Sequence, residues 1–382
     1  MSRLLQERAV HVVGIGMHPY QFPSETPYVH LGLTAIREAL KDAGLQWPQV
    51  QAAFVGTAAI GMAAGRVMLR HLGSTGLSVT QVENASASGS SAFRLACQAV
   101  ASGEHEIVLA VGVDKTGHAR RASGSDGLLT LSPTSNLPVA KFALLARRYL
   151  RDGGLDVEAL ARVAVKNHGN ASLNPYAQFR KPRTLEQVLA SPKVAGELTV
   201  QQCCPRGEGA AAVIVASAAA IARLGLARSR SPRVVASVST SEKLGRGDVP
   251  PIVDMVRESS RAALEQACIG PHDLNMVELH DAFSIEEIVY GEAIGVSQPG
   301  EGAHDLARGD TAIGGRCAVN ASGGLIGMGH PIGPTGIGQI AEITRQMRGE
   351  ATGRQHLNTR LAMAHMIGLG SVAIAHVLQR TD

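Results

Sequence analysis

Aromatic side chains are scarce in this chain. Phe, Trp and Tyr make up 3% of 382 residues, with a single tryptophan, while apolar residues as a whole reach 45%. A core of any size must therefore be filled by Ala, Val, Leu and Ile. The arginine groups, Arg120-Arg121, Arg147-Arg148 and Arg228 to Arg233, have no aromatics between them. That excludes the stacking platforms of a nucleic-acid binder and leaves the net charge of +4 as mostly solvated surface. Cysteine is also sparse and odd in number: five residues, at 97, 203, 204, 268 and 317, with no paired metal-ligand spacing. No metal is expected, and the count fits a reducing cytoplasm better than a disulfide scaffold. Cys203 and Cys204 are adjacent and should face different ways. Apolar runs stop short of the roughly 18 residues a membrane span needs, and Met1 to His11 lacks a signal-peptide core. Glycine, by contrast, is abundant at 43 residues, which implies many tight turns and close backbone approaches.

Strand and helix patterns alternate along the chain, as in a layered α/β protein. Val10 to Ile15 reads as a strand closed by Gly14-Ile15-Gly16, and Leu31 to Ala43 as an amphipathic helix stopped by Gly44. Val50 to Val55, Leu77 to Val82 and Glu106 to Val113 read as further strands. From Lys115 to about Lys193 the rhythm loosens into helices among polar stretches, too long for one surface loop. A second unit starts at Arg233, with strands Val234 to Thr240 and Leu274 to Leu279. The glycine-rich stretch Ser322 to Gly338 precedes a helix over Gln339 to Arg348, and two apolar segments close the chain. Both halves run strand, reactive turn, apolar helix, which suggests a duplicated unit.

Three places can carry chemistry. Val82 to Phe93 turns from a strand into a helix, so Ser86 or Ser88 sits where unpaired N–H groups favour negative charge. Such a serine serves either as a cap or as a nucleophile beside an oxyanion site. His280 follows a strand within His280-Asp281-Ala282-Phe283. His330 lies in Gly327-Met328-Gly329-His330-Pro331-Ile332-Gly333, where glycines let backbone approach a ligand. No Gly-Lys-Ser/Thr closes that loop, so a nucleotide cradle is disfavoured. Two imidazoles and a helix-terminal serine make a carbonyl-chemistry site.

Glu83-Asn84-Ala85-Ser86-Ala87-Ser88-Gly89, His280-Asp281-Ala282-Phe283, and Asn320-Ala321-Ser322-Gly323-Gly324 with Gly329-His330-Pro331-Ile332-Gly333-Pro334-Thr335-Gly336 resemble the thiolase superfamily. The likeness is to its sterol-carrier-protein-type and archaeal acetyl-CoA acetyltransferase-like branch. It covers nearly the whole chain. The resemblance implies an α/β thiolase fold: duplicated βαβαβαββ halves in an α/β/α/β/α arrangement, with an inserted loop domain. The expected boundaries are 1–114 and 205–230 for the first half, 115–204 for the insertion and 231–382 for the second half. By position, Ser86 stands at the family's nucleophilic cysteine. His330 stands at the histidine that activates it, and His280 at the residue holding the thioester oxygen. Asn320, Gly368 and Gly370 stand at framing or oxyanion positions. Coenzyme A enters as a substrate thioester and no cofactor is bound permanently. Arg120, Arg121 or Arg180 is a loop-position guess for its phosphates. A cytoplasmic homodimer is implied, as is a small OB-fold or zinc-ribbon partner.

The departures narrow the chemistry. Met366 occupies the family's acid/base cysteine position and Ala282 the cysteine position of some relatives, so no usual thiol is present. Three readings follow. The chain is an acyl-CoA acyltransferase making or breaking a C–C bond through Ser86. Or it is a retro-aldolase on a β-hydroxyacyl-CoA, with Tyr290, Asp281 or Glu287 as acid or base. Or it is a non-catalytic subunit that binds acyl-CoA or lipid.

Overall fold

The computed structural model describes residues 2–116, 138–243, 249–368 and 372–381. Its strands are β1 (Val10–Gln21), β2 (Ala52–Gly56), β3 (Ser78–Val82), β4 (Ile107–Asp114), β5 (Lys193–Ala195), β6 (Leu198–Thr199), β7 (Glu208–Ser217), β8 (Arg233–Ser241), β9 (Met276–Leu279), β10 (Ala318–Val319), β11 (Leu361–Gly368) and β12 (Val372–Gln379). Ten of them form one sheet in the order β10-β9-β11-β12-β8-β1-β7-β4-β2-β3. Read from its outer edge inward, each half repeats one plan: third strand, second, fourth, fifth, first. In both, the outer three strands are parallel and the inner pairings antiparallel. A short antiparallel contact, Val10 with Val234 and His11 with Arg233, joins the halves. The duplicated α/β architecture expected from the sequence is present.

In each half, the helix after the third strand packs on strands of both halves of the sheet. Helix Ser88–Ala101 packs on β2, β4 and β7 and reaches β8; helix Thr335–Arg348 packs on β1, β4 and β7 as well as on β9 and β11. The helix covered on both sides is buried along nearly its whole length, polar residues included. Glu342 on that helix meets Arg354 at 2.7 Å, both sealed from water; a lone charge there would carry a large desolvation cost. Helices Tyr28–Ala43 and Pro251–Ala267 cover the outer faces against β1 and β8.

Two sequence expectations need correction. The first strand does not stop at Ile15; it runs on to Gln21, and Gly16 lies so close to the covering helix that a Cβ there would strike the backbone of Ala35. Those glycines admit a helix; they do not end a strand. Likewise the second central helix begins at Thr335, four residues before the expected Gln339. Gly336 lies against Ser90 and Gly338 against Tyr20, so the glycines are set by close packing that overrides their poor helix propensity. The connection from β4 to β7 carries helices Pro138–Gly153 and Glu158–Ser172 and the β5–β6 hairpin.

Candidate active site

The two central helices and the end of β9 converge on one point. Ser86 occupies the turn between β3 and helix Ser88–Ala101, just after Ala85, whose φ of +47° is uncommon for a residue with a side chain. The two serines divide the work. Ser88 Oγ donates to Ala85 O (2.6 Å) and accepts from Asn84 N (2.9 Å), so it holds the turn. Ser86 is freed from capping, and its Oγ lies 3.0 Å from His330 Nε2.

The other ring nitrogen fixes the tautomer. His330 Nδ1 lies 3.0 Å from Thr335 Oγ1, and that hydroxyl donates its own proton to Pro331 O (2.5 Å). With its proton committed, Thr335 Oγ1 can only accept, so Nδ1 carries the hydrogen and Nε2 presents a lone pair to Ser86. Burial, and secondarily His280, hold the His330 pKa well below the ordinary histidine value, so the ring is neutral near pH 7. A serine, a basic nitrogen and a third group orienting the ring have the geometry of an activated nucleophile. Asp114, at the end of β4, secures the histidine loop. Its carboxylate accepts from Gly333 N (3.0 Å), Ala58 N and Ala59 N (both 2.9 Å).

His280 meets His330 edge-on, the ring centroids 5.4 Å apart. It is 1% exposed, and among the described residues neither ring nitrogen has a hydrogen-bond partner; Glu286 Oε2 stands 3.4 Å from Nδ1. Asn320, with φ of +56°, sets where β9 ends: its Oδ1 accepts from Leu279 N (2.9 Å) and its Nδ2 donates to Glu287 (2.9 Å). Asn167 Nδ2 donates to both Asp281 and Glu287 at 2.8 Å, and Lys166 Nζ lies 3.1 Å from Glu287. Asp281 also accepts from Leu325 N (2.6 Å), and burial followed by the Glu287 charge raises its pKa well above the carboxylate range. Asp281 and Glu287 are thus bound into a buried frame beneath His280. Tyr290 donates to Glu286 (3.0 Å), and burial raises its pKa well above the usual phenol value.

Of the remaining sequence candidates, Gly368 brings β11 so close that a Cβ would strike Asn84 O in the Ser86 turn. Gly370, Arg120 and Arg121 lie outside the described residues. Arg180 donates to the carbonyls of Ala177 and Pro175 and so braces its own loop. Met366 packs with Ala87 and Ile374 in a small apolar cluster. Sequence reasoning missed Thr335, Glu286, Asn167 and Lys166. Only Glu286 carried a local signal, since it is a glutamate at the third helical position bonding back to Phe283 N (3.0 Å). Among the described residues, no group of three or more His, Cys, Asp or Glu could hold a metal ion, and no helix is long and apolar enough to cross a membrane.

The chain is similar to known proteins along most of its length. Residues 10–188 match the family described as "Thiolase, N-terminal domain", and residues 236–380 the "Thiolase C-terminal domain-like" family. Benzoylsuccinyl-CoA thiolase subunit BbsB of Thauera aromatica is 37% identical, covering 95% of this chain and 96% of that protein. Sterol carrier protein 2 of Homo sapiens is 34% identical, covering 96% of this chain and 71% of that protein. Among solved structures, the Ltp2-ChsH2(DUF35) aldolase superposes with a TM-score of 0.84 at 24% identity, over 97% of this chain and 98% of that one. Two matched domains spanning most of the sequence, together with relatives of this identity along almost its full length, establish that the chain belongs to the thiolase superfamily and is a thiolase-like enzyme acting on an acyl-CoA thioester.

Proposed function

We propose that the enzyme makes or breaks a carbon–carbon bond beside a CoA thioester through an acyl group carried on Ser86. The observation that carries this reading is the 3.0 Å contact between Ser86 Oγ and a His330 Nε2 whose tautomer is set by Thr335. As Oγ attacks the acyl carbonyl carbon, its proton passes to Nε2, and the positive end of helix Ser88–Ala101 favours the developing oxyanion. His280 and His330 hold the oxygen of the second thioester as its enolate forms. The segment 115–204 serves as the cap past which pantetheine enters, with Arg120 or Arg121 as candidates for the CoA phosphates.

A second reading has its own support. The Ltp2-ChsH2(DUF35) aldolase shares the fold, and a serine hydroxyl is a weaker nucleophile than the thiolate of most thiolases. In that case the enzyme cleaves a β-hydroxyacyl-CoA without a covalent acyl group, beside a small OB-fold or zinc-ribbon subunit. The need for free CoA separates the two. Cleavage of a 3-oxoacyl-CoA that requires added CoA supports acyl transfer. Release of a carbonyl product from a β-hydroxyacyl-CoA without CoA supports the aldolase. For assembly, β3 forms an outer edge of the sheet among the described residues, with every residue at least partly exposed. An unpaired edge of this kind invites a second copy, and light scattering should give twice the chain mass.

A further inference from the structure

We infer that Cys204 supplies the proton that the substrate α-carbon gains when the carbon–carbon bond breaks. This rests on the acyl-transfer reading above. With Met366 and Ala282 unable to exchange a proton, that reading leaves the departing enolate without a thiol acid at either of those two positions.

The placement of Cys204 follows from three backbone contacts. Cys203 is bridged antiparallel to Phe283, and Cys204 N donates to Ala282 O (2.8 Å). Two residues on, Arg206 is bridged to His330. Residues 203–206 therefore cross from the His280 loop to the His330 loop. Side chains alternate along an extended segment. Cys203 and Phe283 both pack on the core of the second half, with Phe283 stacked on Phe142, so Cys204 takes the opposite face, in register with Ala282. Stepping back by two along the facing segment reaches His280, which is 1% exposed; its Nδ1 has Glu286 at 3.4 Å and its Nε2 makes no hydrogen bond among the described residues. A buried imidazole with no partner on that face needs a ligand to satisfy it. Burial, then the charges of Glu286 and Asp281, raise the Cys204 pKa, which keeps it a neutral S–H donor.

The step balances without any redox partner. Ser86 Oγ attacks the 3-keto carbon and gives its proton to His330. The C2–C3 bond breaks, its electron pair moves onto C2 as the thioester enolate, and Cys204 S–H protonates C2. In the second half-reaction, CoA gives its thiol proton to the Cys204 thiolate as its sulfur attacks the Ser86 ester, and His330 returns its proton to the Ser86 oxygen.

Two measurements on the full chain test this. Cys204→Ala should lower α-carbon deuterium exchange of acetyl-CoA and C–C cleavage by about 10²- to 10⁴-fold, far more than it lowers Ser86 acylation, with partial recovery in Cys204→Ser. Undiminished exchange and cleavage in Cys204→Ala overturn the assignment while leaving Ser86 chemistry intact. A parent protein that neither acylates at Ser86 nor exchanges the α-hydrogen shows instead that the acyl-transfer reading failed, and this role for Cys204 falls with it.

Discussion

At the scale of single residues, Thr335 decides which nitrogen of His330 faces Ser86. Thr335→Val keeps the shape but removes the acceptor at Nδ1, a loss of about 0.5–1.5 kcal/mol for a typical hydrogen bond. Ser86 acylation should slow by up to about tenfold, and Thr335→Ser should restore it; stopped-flow acyl-transfer rates would show whether it does. The depressed pKa of His330 has a kinetic signature as well. The base remains unprotonated far below the ordinary histidine value near 6.5, so the acylation rate should stay flat between pH 8 and 5.5. A rate that halves near pH 6.5 would show that another group is the base. Ser86, His280 and His330 could be picked out as candidates because a serine at a strand-to-helix turn, a histidine after a strand and a histidine in a glycine-rich loop together resemble one family's pattern. Thr335 did not stand out: whether a threonine five residues on turns back to the imidazole depends on the path of the loop, which no local pattern records.

At the scale of elements, the site exists because chain segments approach one another more closely than side chains permit. Gly336 lies against Ser90 where the two central helices meet, and Gly368 lies against the Ser86 turn. Gly336→Ala forces those helices apart and should cost about 1–3 kcal/mol, read as a lower melting temperature. Gly368→Ala pushes on Asn84 and should slow acylation more than it lowers the melting temperature. The order of strands and helices could be read from periodicity alone. Their limits could not, since Gly14, Gly16, Gly336 and Gly338 look like punctuation in one dimension and are packing surfaces in three.

At the scale of the molecule, duplication places two helices in the middle of a protein poor in aromatics, and many ionisable groups are buried in the same core. Burial lowers the pKa of six histidines: His11, His330 and His356, His168 to about 4, and His365 and His376 to about 3. Once unfolded they take up protons near pH 6.5, so the unfolded state binds more protons as pH falls through that value, and stability drops. Buried carboxyls act oppositely. Glu278 is raised to about 8, Asp114 to about 6, and Asp281 well above its usual range. The folded state keeps these protons after the unfolded state has lost them, so their contribution weakens as pH climbs from about 4 toward the folded values. The melting temperature should fall steeply below pH 6 and gently from 6.5 to 8. Calorimetry giving a steady rise from 6.5 to 8 would contradict this balance. The repeated half was visible in the sequence as rhythm. The burial of its charges was not, because partners such as Glu342 and Arg354 meet only across the folded core.

The most direct measurement is the intact mass of the protein after mixing with a panel of acyl-CoAs, alongside Ser86→Ala and Ser86→Cys. An added acyl mass is expected on the parent, mapped to Ser86 and lost in Ser86→Ala. An adduct on Ser86→Cys with none on the parent, under every acyl-CoA tried, would contradict it: the pocket would then keep thiolase geometry while its serine carries no acyl group.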